Sequence, residues 1–180
     1  MFPIETINYW LALGTICLQI ITGAFIALFF LRARFPDLED IAAFLRGWGL
    51  WIGFCITILA SALTLFYSEI LGIEPCGWCW IQRAFLYPQI ILFAIALRKR
   101  DSNIADYSIA LSIAGGAAAL YQHYLQMGGT SVLPCPASSS EAADCAVRFV
   151  FEFGYITFPM MALTLFAFLI VLMLFVRKRP

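Results

Sequence analysis

The sequence predicts an all-α integral membrane protein with five transmembrane helices, on three observations. Of 180 residues, 63% are hydrophobic and 12% charged, whereas soluble domains average about 45–50% and about 25%, so the chain lacks the polar surface to cover itself in water. Five apolar runs have the length, about 20 residues, that a helix needs to cross hydrocarbon. The basic residues fall on alternate sides of those runs. Eleven Lys+Arg balance eleven Asp+Glu, and no basic stripe with interleaved aromatics occurs, so nothing supports a nucleic-acid partner. No internal repeat or low-complexity tract is present.

The first run, 8–31, is preceded by no Lys or Arg. It is longer than a signal-peptide core and is followed by no small-residue cleavage site, so it is expected to remain as a membrane helix. In the stretch that follows, Pro36, Asp37, Glu39 and Asp40 form a helix-start signal, with proline and acids suited to a first turn. Leu38, Ile41, Ala42, Phe44 and Leu45 form one apolar stripe, which predicts a short amphipathic helix on the inner membrane surface. The remaining spans are expected at 48–70, 80–97, 104–127 and 149–176. Tyr9, Trp10, Trp48, Trp51, Trp78 and Trp80 sit near the span ends as an interfacial belt would.

Arg32, Arg34 and Arg46 lie between spans one and two, Arg98, Lys99 and Arg100 between three and four, and Arg177, Lys178 and Arg179 after five. Basic residues are retained in cytoplasmic loops, so these nine are expected in the cytoplasm, with the C-terminus. The N-terminus and loops 71–79 and 128–148 are then external. Arg83 and Arg148 are the two exceptions.

That sidedness sorts the six cysteines. Cys17 and Cys55 fall mid-span among Leu, Ile and Phe, where a thiol packs as a small apolar side chain. Cys76, Cys79, Cys135 and Cys145 fall in the two external loops. Two pairs on an oxidising face read as thiol–disulfide chemistry, although four cysteines allow three pairings. A zinc site needs tetrahedral convergence, and the second pair is separated by nine residues. Structural staples are the stronger bland alternative, but a CxxC bridge closes too short a loop to add much stability.

The surroundings of Cys79 favour exchange chemistry. Cys76 and Cys79 stand at the start of span three, where unpaired backbone N–H groups and the helix dipole stabilise a thiolate. Arg83 lies four residues on, on the same helix face, and a guanidinium inside a bilayer edge signals function or a partner, the alternative being a snorkelling contact with lipid headgroups. Gln82 and Tyr87 continue the polar-aromatic strip, and Pro88 is expected to bend the helix. The single histidine, His123, stands near the external end of span four, between Gln122 and Gln126, at the depth of Arg83. Together these side chains would form a donor-lined pocket suited to the carbonyl oxygens of a lipid-soluble ring.

The run Cys76-Gly-Trp-Cys79-Trp-Ile-Gln82-Arg83, then Tyr87-Pro88, His123-Tyr-Leu-Gln126, the second cysteine pair and Gly154-Tyr-Ile-Thr-Phe-Pro159 resembles the disulfide bond formation protein B (DsbB) family, in its short Gram-positive-type version. The resemblance covers about 48–176. It implies a four-helix bundle over 48–180, with residues 1–47 an addition comprising an extra transmembrane helix and the surface helix. It further implies a bacterial cell (inner) membrane enzyme that reoxidises an extracytoplasmic, DsbA-like thioredoxin-fold thiol oxidase and passes two electrons to a quinone, ubiquinone or menaquinone. By position, Cys76 and Cys79 would be the quinone-side pair and Cys135 and Cys145 the partner-side pair. Cys135 would be attacked first, and Cys145 would then exchange, most plausibly with Cys76. Arg83, and with it His123, Gln82 and Tyr87, would hold the quinone. A vitamin K epoxide reductase-like enzyme would place its CxxC after the shuttle pair, the reverse of the order here. A non-enzymatic channel subunit or assembly factor would need a polar stripe recurring across spans, which is absent.

Overall fold

A computed structural model describes residues 4–32, 34, 35, 37–136 and 145–177. Five helices make the fold: α1 (Ile4–Leu31), α2 (Asp37–Leu65), α3 (Gly77–Lys99), α4 (Ile104–Gln126) and α5 (Phe158–Val176). All five are long and apolar enough to cross a membrane. The helices α2 to α5 close on one another as a bundle, each packed on its neighbours in the ring. The most buried is α5, which touches α1, α2 and α4 and carries the core side chains Phe166, Leu169, Leu172, Met173 and Phe175. A Cβ at Gly115 would collide with the Phe166 ring, so this glycine permits the close approach of α4 to α5, as small residues do between membrane helices.

Two elements differ from the sequence-based expectation. The stretch 37–47 is not a separate surface helix: it forms the first turns of α2, which runs unbroken from Asp37 through Trp48 to Leu65. Gly47 and Gly49 are the only weak helix formers at the junction, and glycine lowers helix propensity without breaking the hydrogen-bond ladder. Charges lie along these first turns, with Arg46 paired to Glu39 at 2.8 Å. The fifth span also starts later, at Phe158 rather than 149. Residues 152–156 instead make a tight turn closed by a bridge between Glu152 and Ile156, with Phe153 and Gly154 at positive φ. Thr157 then caps α5 by accepting from the Met160 amide at 3.4 Å, and Pro159 sits in the first turn, a position where its missing N–H costs nothing.

At the end of the bundle where α1, α3 and α5 terminate, Arg177 pairs with Asp106 at 2.8 Å and Arg32 lies over the rings of Phe29 and Phe175. Pro36, Lys178 and Arg179, which entered the helix-start and sidedness readings, lie outside the described residues, as does 137–144 of the second external loop. At the opposite end α2 finishes in a π-helical turn, Phe66–Ile70, followed by Gly72 at φ +68°. That end holds the Cys76–Cys79 pair and the Cys135–Cys145 bridge.

Candidate active site

The site is built around the N-terminus of α3. Cys76 is its N-cap, with extended backbone, and Gly77, Trp78 and Cys79 make the first turn. Both thiols are free, and their sulfurs lie 3.0 Å apart. The hydrogen bond with Cys79, reinforced by burial, pushes the Cys76 thiol well above its ordinary range. The pair sits in the first helical turn, where backbone N–H groups have no intrahelical partner and favour negative charge.

Gln122 of α4 clamps the two sulfurs. Its Nε2 donates to Cys76 Sγ at 3.0 Å and to Cys79 Sγ at 3.3 Å, while its Oε1 accepts from Gln82 Nε2 at 2.6 Å. Only 1% of Gln122 is exposed. A buried amide is costly unless its donors and acceptor are all used, and here both ends are engaged. Sequence reading placed Gln122 beside His123 and gave it no role. Its signal was present in the i,i+4 spacing to Gln126, but only the facing of α3 and α4 shows that the amide reaches the sulfurs.

Arg83 is 8% exposed. Its Nη2 donates to the Thr64 carbonyl at 2.9 Å and its Nη1 to Ser68 Oγ at 3.4 Å, both at the π-helical end of α2, and its guanidinium lies 5.2 Å from the Trp80 ring centre. The last turn of α2 thus offers a carbonyl, and the π turn the Ser68 hydroxyl, to a charge, consistent with the frequent placement of such turns at functional sites. Tyr87 shares a 2.9 Å hydrogen bond with the Thr64 hydroxyl, one turn of contact away from Arg83.

An apolar cavity of about 410 Å³ opens beside these groups, with Cys76, Cys79, Gln82, Arg83 and Gln122 at its polar end. The volume falls in the range of about 300–1,000 Å³ typical of small-molecule sites. Tyr87 and His123 are not among its lining residues. The His123 ring instead pairs through Nδ1 with Thr157 Oγ1 at 3.0 Å, at the cap of α5, because its side of α4 faces α5 while that of Gln122 faces α3.

The second pair, Cys135 and Cys145, is joined by a disulfide with Cα atoms 5.9 Å apart. Its two sulfurs are in unlike surroundings. Cys135 is exposed, whereas Cys145 is 2% exposed and shares one buried cluster with Cys76 and Leu125. Residues of α4 fix the loop on both sides of the bridge. The Tyr121 hydroxyl accepts from the amides of Val132 and Leu133 at 3.1 and 2.7 Å, and Gln126 Nε2 donates to the Val147 carbonyl at 2.9 Å. Gly77 completes the seating, since a Cβ there would run into the carbonyl and ring of Pro136; the glycine between the two thiols lets the Cys135 segment lie directly on the CxxC turn. Cys17 and Cys55 are exposed on the outer faces of α1 and α2, away from this assembly.

Such a chain of sulfurs, one exposed, one buried beside a second pair, and that pair at the end of an apolar cavity, is suited to relaying thiol–disulfide exchange from outside to a membrane-soluble acceptor. Comparison with known proteins gives the family. The family described as "Disulfide bond formation protein DsbB" matches residues 46–176. The probable disulfide formation protein C of Bacillus cereus is 31% identical over 121 residues, 67% of this chain and 81% of that protein. The SPbeta prophage-derived disulfide bond formation protein B of Bacillus subtilis is 35% identical over 114 residues, 63% and 75% of the two chains. A probable disulfide formation protein of Chlamydia pneumoniae is 29% identical over 136 residues, covering 75% of this chain and 96% of its own length. No solved structure matches the chain. With five membrane-length helices and four cysteines assembled at one end, this multi-pass disulfide-forming oxidoreductase belongs to the DsbB family.

Proposed function

We propose that the protein reoxidises an extracytoplasmic, DsbA-like thioredoxin-fold dithiol protein and passes the two electrons to a membrane quinone, in a bacterial cell membrane with its N-terminus outside and its C-terminus in the cytoplasm. The sidedness rests on the grouped basic residues at one end of the bundle. The observation that carries the chemistry is the asymmetry of the Cys135–Cys145 bridge: the sulfur presented outward is Cys135, and the one packed with Cys76 is Cys145.

In this reading a thiolate of the partner attacks Cys135 Sγ, breaking the Cys135–Cys145 bond and releasing Cys145 as the leaving thiolate. Cys145 attacks Cys76 of an oxidised Cys76–Cys79 bridge, which frees Cys79. The partner's second thiolate then displaces Cys135, leaving the partner oxidised. Cys135 in turn attacks Cys145, which restores the loop disulfide and releases Cys76. The net change is one dithiol oxidised and the CxxC bridge reduced to two thiols.

The cavity suits a quinone in its chemistry: apolar walls, with a guanidinium and two amides at the end that holds Cys79. A quinone held there would supply a two-electron, two-proton acceptor for re-formation of the Cys76–Cys79 bond. Arg83 and Gln82 supply the donors for its oxygens, in the manner of preorganised electrostatic stabilisation. Tyr87 acts as a positioning residue through Thr64, and His123 through the α5 cap. The test is oxidation of a thioredoxin-fold dithiol by the purified protein. Turnover should require ubiquinone or menaquinone and yield one quinol per disulfide; no dependence on either quinone would overturn the acceptor assignment.

A further inference from the structure

The family match begins at residue 46, so α1 lies outside it, yet Trp10, Leu11, Gly14, Thr15 and Leu18 of α1 line the cavity that holds Cys79 and Arg83. Their spacing places them on one face of the helix. Polar bonds pin α1 on both sides of this stripe. Tyr67 donates to Asn8 Oδ1 at 2.6 Å; Gln19 Nε2 donates to Thr164 Oγ1 at 3.1 Å, and Gln19 Oε1 accepts from Tyr155 at 2.8 Å. Hydrogen bonds of this kind fix neighbouring helices in lipid, where packing gains no hydrophobic driving force.

The helix α1 packs extensively on α5 and only sparsely on α2, and α2 supplies the facing wall through Ile56, Leu59 and Leu63. Trp10 and Leu59 both line the cavity, yet they are 64% and 59% exposed. The cavity therefore reaches the lipid-facing surface between α1 and α2. At Gly14 the α1 wall is at its thinnest: a Cβ built there meets nothing within 4 Å.

We infer that α1 is an added wall of the quinone site and that the gap between α1 and α2, bordered by Trp10 and Leu59, is the lateral portal through which an isoprenoid tail passes into lipid. This rests on the quinone reading above. The ring is held at the polar end by Arg83 and Gln82, and a tail too long for about 410 Å³ leaves along the α1 stripe. Residues 10–18 thereby set which tailed quinones are accepted.

The test compares the unaltered protein with Gly14→Leu, which fills the stripe, and Gly23→Leu, the same change on α1 at a glycine that is equally uncrowded and does not line the cavity. Leu11→Trp provides a second obstruction. Each is assayed in lipid nanodiscs for KM with a long-tailed quinone and with its tail-less ring analogue. Quenching of tryptophan fluorescence by the long-tailed quinone reports binding apart from turnover, and an unchanged thermal melt in the nanodiscs reports an intact fold. Gly14→Leu and Leu11→Trp should raise KM for the tailed quinone at least about fivefold and for the ring analogue less than about twofold, with Gly23→Leu unchanged, as expected when bulk is added to a tightly fitted apolar site. If both obstructing variants match Gly23→Leu, α1 is no part of the site and the inference falls while the quinone reading stands. An equal rise for both quinones removes the portal. If the unaltered protein reduces neither quinone, the quinone reading itself fails and takes this inference with it.

Discussion

The two cysteine pairs are built on opposite principles. Cys76 and Cys79 occupy the first turn of a membrane helix, locked by Gln122 and covered by the loop that Gly77 admits. Cys135 and Cys145 sit in a loop tied to α4 only at its flanks, by Tyr121 and Gln126. The first pair is held at the helix end by one clamp, with Cys76 buried and Cys79 half-buried; the second has one sulfur out and one in. A relay needs both. The loop pair must present a sulfur to a protein that comes and goes, whereas the helix pair must keep its geometry toward a ligand held in the membrane. On the relay proposed above, the difference between the pairs gives electron flow its direction, from Cys135 inward to Cys79.

The sharpest way to break the comparison is to remove a sulfur from the rigid pair. Cys79→Ser should lower quinone-linked turnover by about a thousandfold or more, as loss of an essential nucleophile does, while a single exchange at Cys135 with the partner dithiol persists in a stopped-flow trace. Loss of both steps together would show that the pairs are not separable. Next in size is Arg83→Ala. A charge-assisted contact contributes about 1.5–3 kcal/mol, so the apparent quinone KM should rise about tenfold or more, with the rate of exchange at Cys135 unaltered. Unchanged quinone kinetics would exclude Arg83 from the acceptor site.

How much of this was legible in the sequence follows the same division. Spans were legible because crossing hydrocarbon demands a run of apolar residues whatever the neighbours do, and the CxxC with Arg83 was legible because its spacing is local. The clamp by Gln122 was not, since a glutamine beside a histidine carries no mark of which helix it faces. His123 drew attention as the only imidazole, but the turn of α4 directs it to Thr157. The junction at 37–47 was misread because proline, acids and an apolar stripe describe the start of a long helix as well as a short one. The α1 wall was invisible for another reason: a stripe of Trp, Leu, Gly and Thr along an apolar helix looks like any lipid-facing surface.

Gln122→Leu sharpens the comparison at a finer level. It keeps the volume and removes both sulfur contacts, each worth about 1 kcal/mol net. Transfer from the loop pair to the helix pair should slow by up to about thirtyfold in single-turnover quench experiments, with the exchange at Cys135 unaffected. The smallest effect is expected where sulfur plays no part in the relay. Cys17→Ala and Cys55→Ala, on outer helix faces, should each change turnover by less than about twofold, in line with surface substitutions remote from any site; a larger loss would mean that the external four are not the whole redox chain.

The direction of flow is tested most directly by trapping the junction between the pairs. In a protein carrying Cys79→Ala and Cys135→Ala, the two remaining external sulfurs are Cys76 and Cys145, which share one buried cluster. Mild oxidation followed by peptide mapping should recover a Cys76–Cys145 disulfide in most molecules, and the companion protein with Cys76→Ala and Cys135→Ala should yield little Cys79–Cys145. Recovery of Cys79–Cys145 in preference to Cys76–Cys145 would contradict the relay and reverse the roles of the two helix cysteines.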